Sequence, residues 1–137
     1  MKVRGILETC LYADDLQATE NFYRTILGLE VIARLEGRHV FFQCGNRVFL
    51  VFNPAKTREI GTNFPPHGAR GPGHVAFAAT MSELPAWRAF LIQNGVMIES
   101  EVTWPKGGCS LYFRDPAGNS IELATPKIWG IDENTLS

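Results

Sequence analysis

The chain has 137 residues, with 13 lysines and arginines against 14 aspartates and glutamates, a formal net charge of −1. So even a balance gives no footprint for nucleic acid or an anionic membrane surface. No apolar run is long enough to span a bilayer, and MKVRGILETC has no apolar signal core, so the chain reads as a cytoplasmic protein forming one compact domain.

In chain order, GILETCLY (Gly5 to Tyr12) predicts a strand. Asp14 and Asp15 then offer an N-cap for a helix from Leu16 to Leu27, with an apolar stripe of Leu16, Phe22, Tyr23, Ile26 and Leu27. Gly28 sits where a left-handed C-cap would end it. Strands follow at Leu29 to Leu35, Arg38 to Gln43 and Arg47 to Phe52, the last two joined by a tight turn at Cys44-Gly45-Asn46. A Gly- and Pro-rich loop, AKTREIGTNFPPHGARGPG, separates this half from the next.

The second half repeats the order. His74 to Thr80 reads as a strand, and Glu83 to Asn94 as a helix with Ser82 as N-cap and Pro85 in its first turn. Gly95 ends that helix as Gly28 ends the first. Strands are expected at Val96 to Val102, Ser110 to Arg114 and Asn119 to Ala124, with Asp115 to Gly118 as a turn. The helix ends pair LGLEV with NGVMI, and the hairpins pair CGNRVFL with AGNSIEL. This duplication predicts an α+β fold of two tandem βαβββ modules whose curved mixed sheets form a cleft. The modules are expected at 1–56 and 73–127, with a linker at 57–72 and a C-terminal tail at 128–137.

Cysteines 10, 44 and 109 form no zinc-type spacing and no CxxC. Cys10 and Cys44 lie in apolar runs and read as small buried residues, while Cys109 follows two glycines and is expected to be more exposed.

The first strand of each module carries one titratable residue in an apolar setting, Glu8 in ILETCLY and His74 in GHVAF. The last strand of the second module carries another, Glu122 in SIELA, alternating to the face opposite Ile121 and Leu123. Buried carboxylates repel one another and are costly unless a cation lies between them. A divalent ion held by Glu8, His74 and Glu122 would remove that cost and leave positions open for water or substrate. The donor set suits Mn(II), Fe(II), Ni(II) or Zn(II) alike. Each residue also has a purely structural explanation: Glu8 on a strand edge, His74 capping a carbonyl, Glu122 paired with Arg114 or Arg47.

LYADDLQATENFYRTILGLEVI, GHVAFAA and YFRDPAGNSIEL resemble the signatures of the glyoxalase/bleomycin resistance/dioxygenase superfamily, the vicinal oxygen chelate proteins, over about residues 4 to 126. The resemblance implies paired βαβββ modules, a homodimer, and metal ligands at Glu8, His74 and Glu122. The family's fourth ligand position falls on Phe49 or Leu50, both apolar, and Glu8 stands where fosfomycin thiol transferases and extradiol dioxygenases carry His. The implied chemistry is chelation of two neighbouring substrate oxygens by a metal acting as Lewis acid, with Glu8 or Glu122 able to leave the metal and act as base. His67 in PPHGARGPG is a candidate acid/base or lid residue, although a solvated loop histidine fits it as well. Lys106 and Arg114 are candidates to hold an anionic substrate group, and Trp104 and Tyr112 to line an apolar wall. The implied function is a divalent-metal-dependent glyoxalase- or dioxygenase-type enzyme acting on a small oxygenated substrate. The alternatives are a metal-dependent thiol transferase, with a thiol co-substrate, and a metal-free ligand-binding protein of the bleomycin-resistance kind.

Overall fold

A computed structural model describes residues 1–136. The chain divides into two compact units, Met1–Gly71 and one beginning at Pro72. No helix among the described residues is long and apolar enough to cross a membrane.

Unit 1 contains β1 (Glu8–Tyr12), α1 (Leu16–Thr25), β2 (Glu30–Leu35), β3 (His39–Cys44), β4 (Arg47–Phe52) and a short α2 (Pro54–Thr57). Its sheet has the order β1-β4-β3-β2, with β1 parallel to β4 and the other pairings antiparallel. β1 begins three residues later than the alternation suggests. The Val48 amide bonds to the Leu7 carbonyl, β4 starts at Arg47, and Gly5 and Ile6 therefore have no ladder to join. Asp15 caps α1 by accepting from the Ala18 amide at 3.0 Å. Gly28 takes φ +67°, and beyond it the Leu29 amide returns to the Tyr23 carbonyl. The β3–β4 hairpin turns through Gly45 at φ +56° and Asn46.

Cross-strand partners share a face, so the registers sort unit 1 into two surfaces. One carries Leu11, Phe49, Val51, Val40 and Phe42, all buried. α1 lays Tyr23 on it, 5.6 Å from Phe42 and 5.0 Å from Phe49 between ring centroids. The other surface carries the rows Glu8–Val48–Gln43, Cys10–Leu50–Phe41 and Tyr12–Phe52–His39.

Unit 2 repeats the plan with β5 (His74–Ala78), α3 (Leu84–Gln93), β6 (Ser100–Thr103), β7 (Cys109–Arg114) and β8 (Ser120–Ala124), in the order β5-β8-β7-β6. Leu111, Phe113, Ile121 and Leu123 alternate on its buried face, and α3 adds Leu84 and Leu91 to the core. The opposite face carries the rows His74–Ser120–Arg114, Ala76–Glu122–Tyr112 and Ala78–Ala124–Ser110. Two single-turn 3₁₀ helices, Pro126–Trp129 and Glu133–Thr135, form the tail.

Ser82 does not cap α3. Its hydroxyl meets that of Thr80, Glu83 occupies the N-cap, and the Glu83 carboxylate instead accepts from the Thr80 amide. β6 is shorter than expected because its ladder with β7 runs only from Ser100 to Thr103, leaving Val96 to Ile98 outside the sheet. All three cysteines are free and half-buried.

Candidate functional site

β8 delivers Glu122 to the face opposite Ile121 and Leu123, as period-two alternation requires. Its side chain is 7% exposed and its Oε2 lies 3.2 Å from His74 Nε2. His74 stands one row away at the start of β5 and is half exposed. Its other ring nitrogen, Nδ1, lies 3.0 Å from the Ser120 carbonyl oxygen. A carbonyl only accepts, so Nδ1 carries a proton and donates. The Nε2 position therefore faces the carboxylate either as a lone pair or as a second N–H on a charged ring.

Tyr112 completes the site. It pairs with Glu122 across β7 and β8, and its ring lies 6.4 Å from that of His74, nearly parallel. Burial, followed by the charge of Glu122 and a hydrogen bond to it, raises the Tyr112 phenol. Ser110, on the same face, receives the Trp104 indole N–H at 2.9 Å. A cavity of about 330 Å³ lies alongside, lined by Glu99, Ser100, Val102, Tyr112, Arg114 and Ser120.

The loop from β7 to β8 sets the position of His74. Asp115 Oδ1 accepts from the Ala117 and Asn119 amides, and Asp115 Oδ2 accepts from Asn119 Nδ2. Asn119 Oδ1 in turn accepts the Gly73 amide at 2.7 Å, and the Ser120 amide bonds to the Gly73 carbonyl. The residue before His74 is thus clamped at both its amide and its carbonyl. The residue types mark DPAG as a turn and place Asn119 at the start of the last strand, but the strand begins at Ser120 and Asn119 belongs to the loop. An asparagine following a turn glycine was the available signal, but its partner lies 46 residues away.

The structure brings His74 and Glu122 together, with Tyr112 and Trp104 on the same face. Arg114 makes a two-pronged pair with Glu99, at 2.6 and 3.0 Å, and donates to the Gly118 carbonyl, so it lines the cavity already partnered. Glu99 is held below the ordinary carboxylate range by that hydrogen bond. Lys106 is exposed in the turn between β6 and β7. Glu8 is exposed at the start of β1 in unit 1. Among the described residues no group of three His, Cys, Asp or Glu side chains is arranged to hold a metal ion. His67 belongs to unit 1, where its Nδ1 lies 2.7 Å from the Tyr12 hydroxyl.

The registers also decide which residue of unit 1 corresponds to Glu122. Glu8 pairs with Val48 as His74 pairs with Ser120, so two residues further on Leu50 matches Glu122. Aligning the hairpin turns instead selects Phe49, because the first turn has two residues beyond its last pair and the second has five. Phe41 is likewise the counterpart of Tyr112.

Among known proteins, the chain is 26% identical over 132 residues to a protein of Bacillus licheniformis named metallothiol transferase FosB, covering 93% of this chain and 79% of that one. The FosB protein of Staphylococcus epidermidis is also 26% identical, covering 91% of this chain and 84% of the relative. The crystal structure of lactoylglutathione lyase from Agrobacterium tumefaciens superposes with a TM-score of 0.92 at 42% identity, covering 96% of this chain and all of that one. The family model described as the Glyoxalase/Bleomycin resistance protein/Dioxygenase superfamily matches residues 5–123, and the chain belongs to that superfamily.

Proposed function

We propose that this protein is a divalent-metal-dependent enzyme of the glyoxalase type, acting on a small oxygenated substrate together with a thiol. The observation that carries this reading is the facing pair of His74 Nε2 and Glu122 Oε2, 3.2 Å apart, with Nδ1 committed to a carbonyl. This is how a histidine is set up to bind metal: the second nitrogen donates to a backbone acceptor, which fixes the tautomer and directs the lone pair at the ion. A bare lone pair facing a largely buried carboxylate is unfavourable without a cation to share.

In this reading His74 and Glu122 would hold the ion, and Glu8 is kept only as the third ligand that the family resemblance implies. The ion would supply Lewis acidity toward the oxygens of the substrate. The Tyr112 phenol, kept protonated, donates to Glu122 and steadies the carboxylate when its charge is shared elsewhere. Trp104 and Ser110 form a fixed wall, and the cavity bordered by Arg114 and Ser120 receives the rest of the substrate. A homodimer, as the family resemblance implies, is part of the proposal.

The thiol enters because the names of both kinds of relative contain one: FosB is called a metallothiol transferase, and the Agrobacterium protein a lactoylglutathione lyase. The higher identity and fuller coverage of the lyase favour lyase chemistry. The FosB matches support thiol transfer as the second reading.

Elemental analysis of the purified protein beside Glu122→Ala tests the metal. The expected result is a stoichiometric divalent ion in the wild type and its loss from the variant. Metal-free wild-type protein would sink the enzymatic reading in favour of simple ligand binding. Assays of lactoylglutathione formation and breakdown, and of glutathione addition to an epoxide, then separate lyase from transferase. Oxygen uptake with Fe(II) and no thiol requirement would replace both with a dioxygenase.

A further inference from the structure

The other guanidinium groups of the chain either meet a carboxylate or stand in water. Arg24, Arg34, Arg70, Arg88 and Arg114 each pair with one, and Arg4, Arg47 and Arg58 are exposed. Arg38 does neither. It is half-buried in the turn before β3, and no carboxylate lies within ion-pair distance of it among the described residues. Arg88, also half-buried, has Glu101.

The partners that Arg38 does have are neutral. Its Nη1 lies 2.7 Å from His39 Nδ1, and the guanidinium lies 5.5 Å from the centre of the Phe52 ring. A guanidinium only donates, so the facing Nδ1 of His39 is bare. The remaining N–H groups of Arg38 have no acceptor among the described residues. A cation drawn partly out of water without a counter-charge is unfavourable, and an anion beside it offsets that cost.

A cavity of about 400 Å³, within the size range of small-molecule pockets, opens at Arg38 between α2 and the loop that follows it. Lys56 adds a second cation to its lining, 3.5 Å from Glu59. Two cations against one carboxylate leave the cavity with a single surplus positive charge. The Thr62 hydroxyl is turned to the Phe64 carbonyl at 2.9 Å, whereas the Asn63 amide has no partner among the described residues. Phe64, 67% exposed, and Pro65 form an apolar edge.

We propose that this cavity binds a small aliphatic monocarboxylate, its oxygens accepting from Arg38, Lys56 and Asn63 and its apolar end lying against Phe64 and Pro65. The fork of a guanidinium matches the two oxygens of a carboxylate. The single surplus charge calls for a monoanion, since a dianion would be repelled more strongly by Glu59. All the residues involved belong to unit 1, and none is a proposed metal ligand.

Butyrate and its neutral isostere butyramide, titrated at constant ionic strength into the isotope-labelled full chain and followed by NMR, test the proposal. Butyrate is expected to give saturable shifts centred on residues 56–65, and butyramide to bind at least tenfold more weakly. His39 provides a second readout that needs no variant. Burial, and then the Arg38 charge, lower its basicity. It also lines a second cavity with Asp14, Asp15, Glu20, Glu36 and Arg34, and His67 stands across Phe52 from it, but those groups are common to both titrations. An anion on Arg38 cancels part of its charge, so the His39 pKa should rise toward 6.5 in saturating butyrate and stay low in butyramide. Arg38→Gln should weaken butyrate by at least tenfold, and Lys56→Gln, at an exposed position, by about two- to fivefold. Butyramide binding as tightly as butyrate, butyrate binding unchanged in Arg38→Gln, or a His39 pKa unmoved at saturation would each overturn the proposal. So would inorganic phosphate binding more tightly than butyrate, which would make the anion a phosphate rather than a carboxylate.

Discussion

At the scale of single residues, a histidine's role here depends on what meets its Nδ1. Ser120 offers a carbonyl to His74, whereas Arg38 and Tyr12 offer donors to His39 and His67. The spacing in GPGHVAF marked His74 as a polar residue entering an apolar strand, but not which nitrogen would be bare. His39 makes a testable contribution to pH dependence. Its folded pKa lies below the ordinary 6.5, so under acid conditions the unfolded chain takes up a proton that the native ring resists. That contribution is complete above pH 6.5 and is lost as pH falls below it. Melting temperatures between about pH 8 and pH 5 should fall less steeply for His39→Phe than for the wild type. Asn119 acts through another residue: its side chain holds the Gly73 amide beside His74. Asn119→Ala should lower stability by about 1–3 kcal/mol in urea titrations. It should also weaken metal binding in calorimetry, whereas a purely structural role would leave metal affinity unchanged. The sequence placed Glu122 on the correct face because alternation is local. It left open which partner Glu122 would take, and Arg114 turned to Glu99 instead.

At the scale of elements, the turns and the first helix's caps are legible because their chemistry lies within a few residues, whereas the expected cap at Ser82 is displaced by Glu83. Asp15, Gly28 and Gly95 occupy the positions that the pattern assigns them. Two glycines show when such a position tolerates change. At Gly28, φ is +67° and a Cβ would meet open space, so Gly28→Ala should cost only the backbone strain, about 1–2 kcal/mol. At Gly108, φ is +87° and a Cβ would lie 2.6 Å from Ile128 Cγ2 and 2.7 Å from Thr125 Oγ1. Gly108→Ala should therefore be the more destabilising of the two, and parallel thermal melts would show the order. The strand ends were less legible. β1 and β6 extend only as far as their partners in the sheet, and a partner is not a local property. Leu50 gives the corresponding test at strand level. It is buried between Cys10 and Phe41, where its counterpart in unit 2 is a glutamate. Leu50→Glu should destabilise metal-free protein by roughly 2–4 kcal/mol at neutral pH. Burial raises the pKa of the new carboxyl, so the loss should shrink as pH falls toward 5 and the group protonates.

At the scale of the whole molecule, the proposed metal makes stability a function of ion concentration. Free ion at 100 times its dissociation constant should add about 2.7 kcal/mol, and a chelator should remove it. Differential scanning calorimetry with and without the ion measures this, and Glu122→Ala should abolish the difference. The duplicated βαβββ order, the apolar faces of both sheets and the superfamily were all determined by the sequence itself, because periodicity, turn residues and short motifs act over a few neighbouring positions. Only the tertiary structure decided that Leu50 rather than Phe49 occupies the position in unit 1 equivalent to that of Glu122 in unit 2, that Asn119 clamps the backbone before His74, and that Tyr12, His39, Phe41, Phe52 and His67 form one aromatic cluster. The physical reason is range: His74 and Glu122 are 48 positions apart and Tyr12 and His67 are 55, and sheet register and loop return, which no short window encodes, bring each pair together.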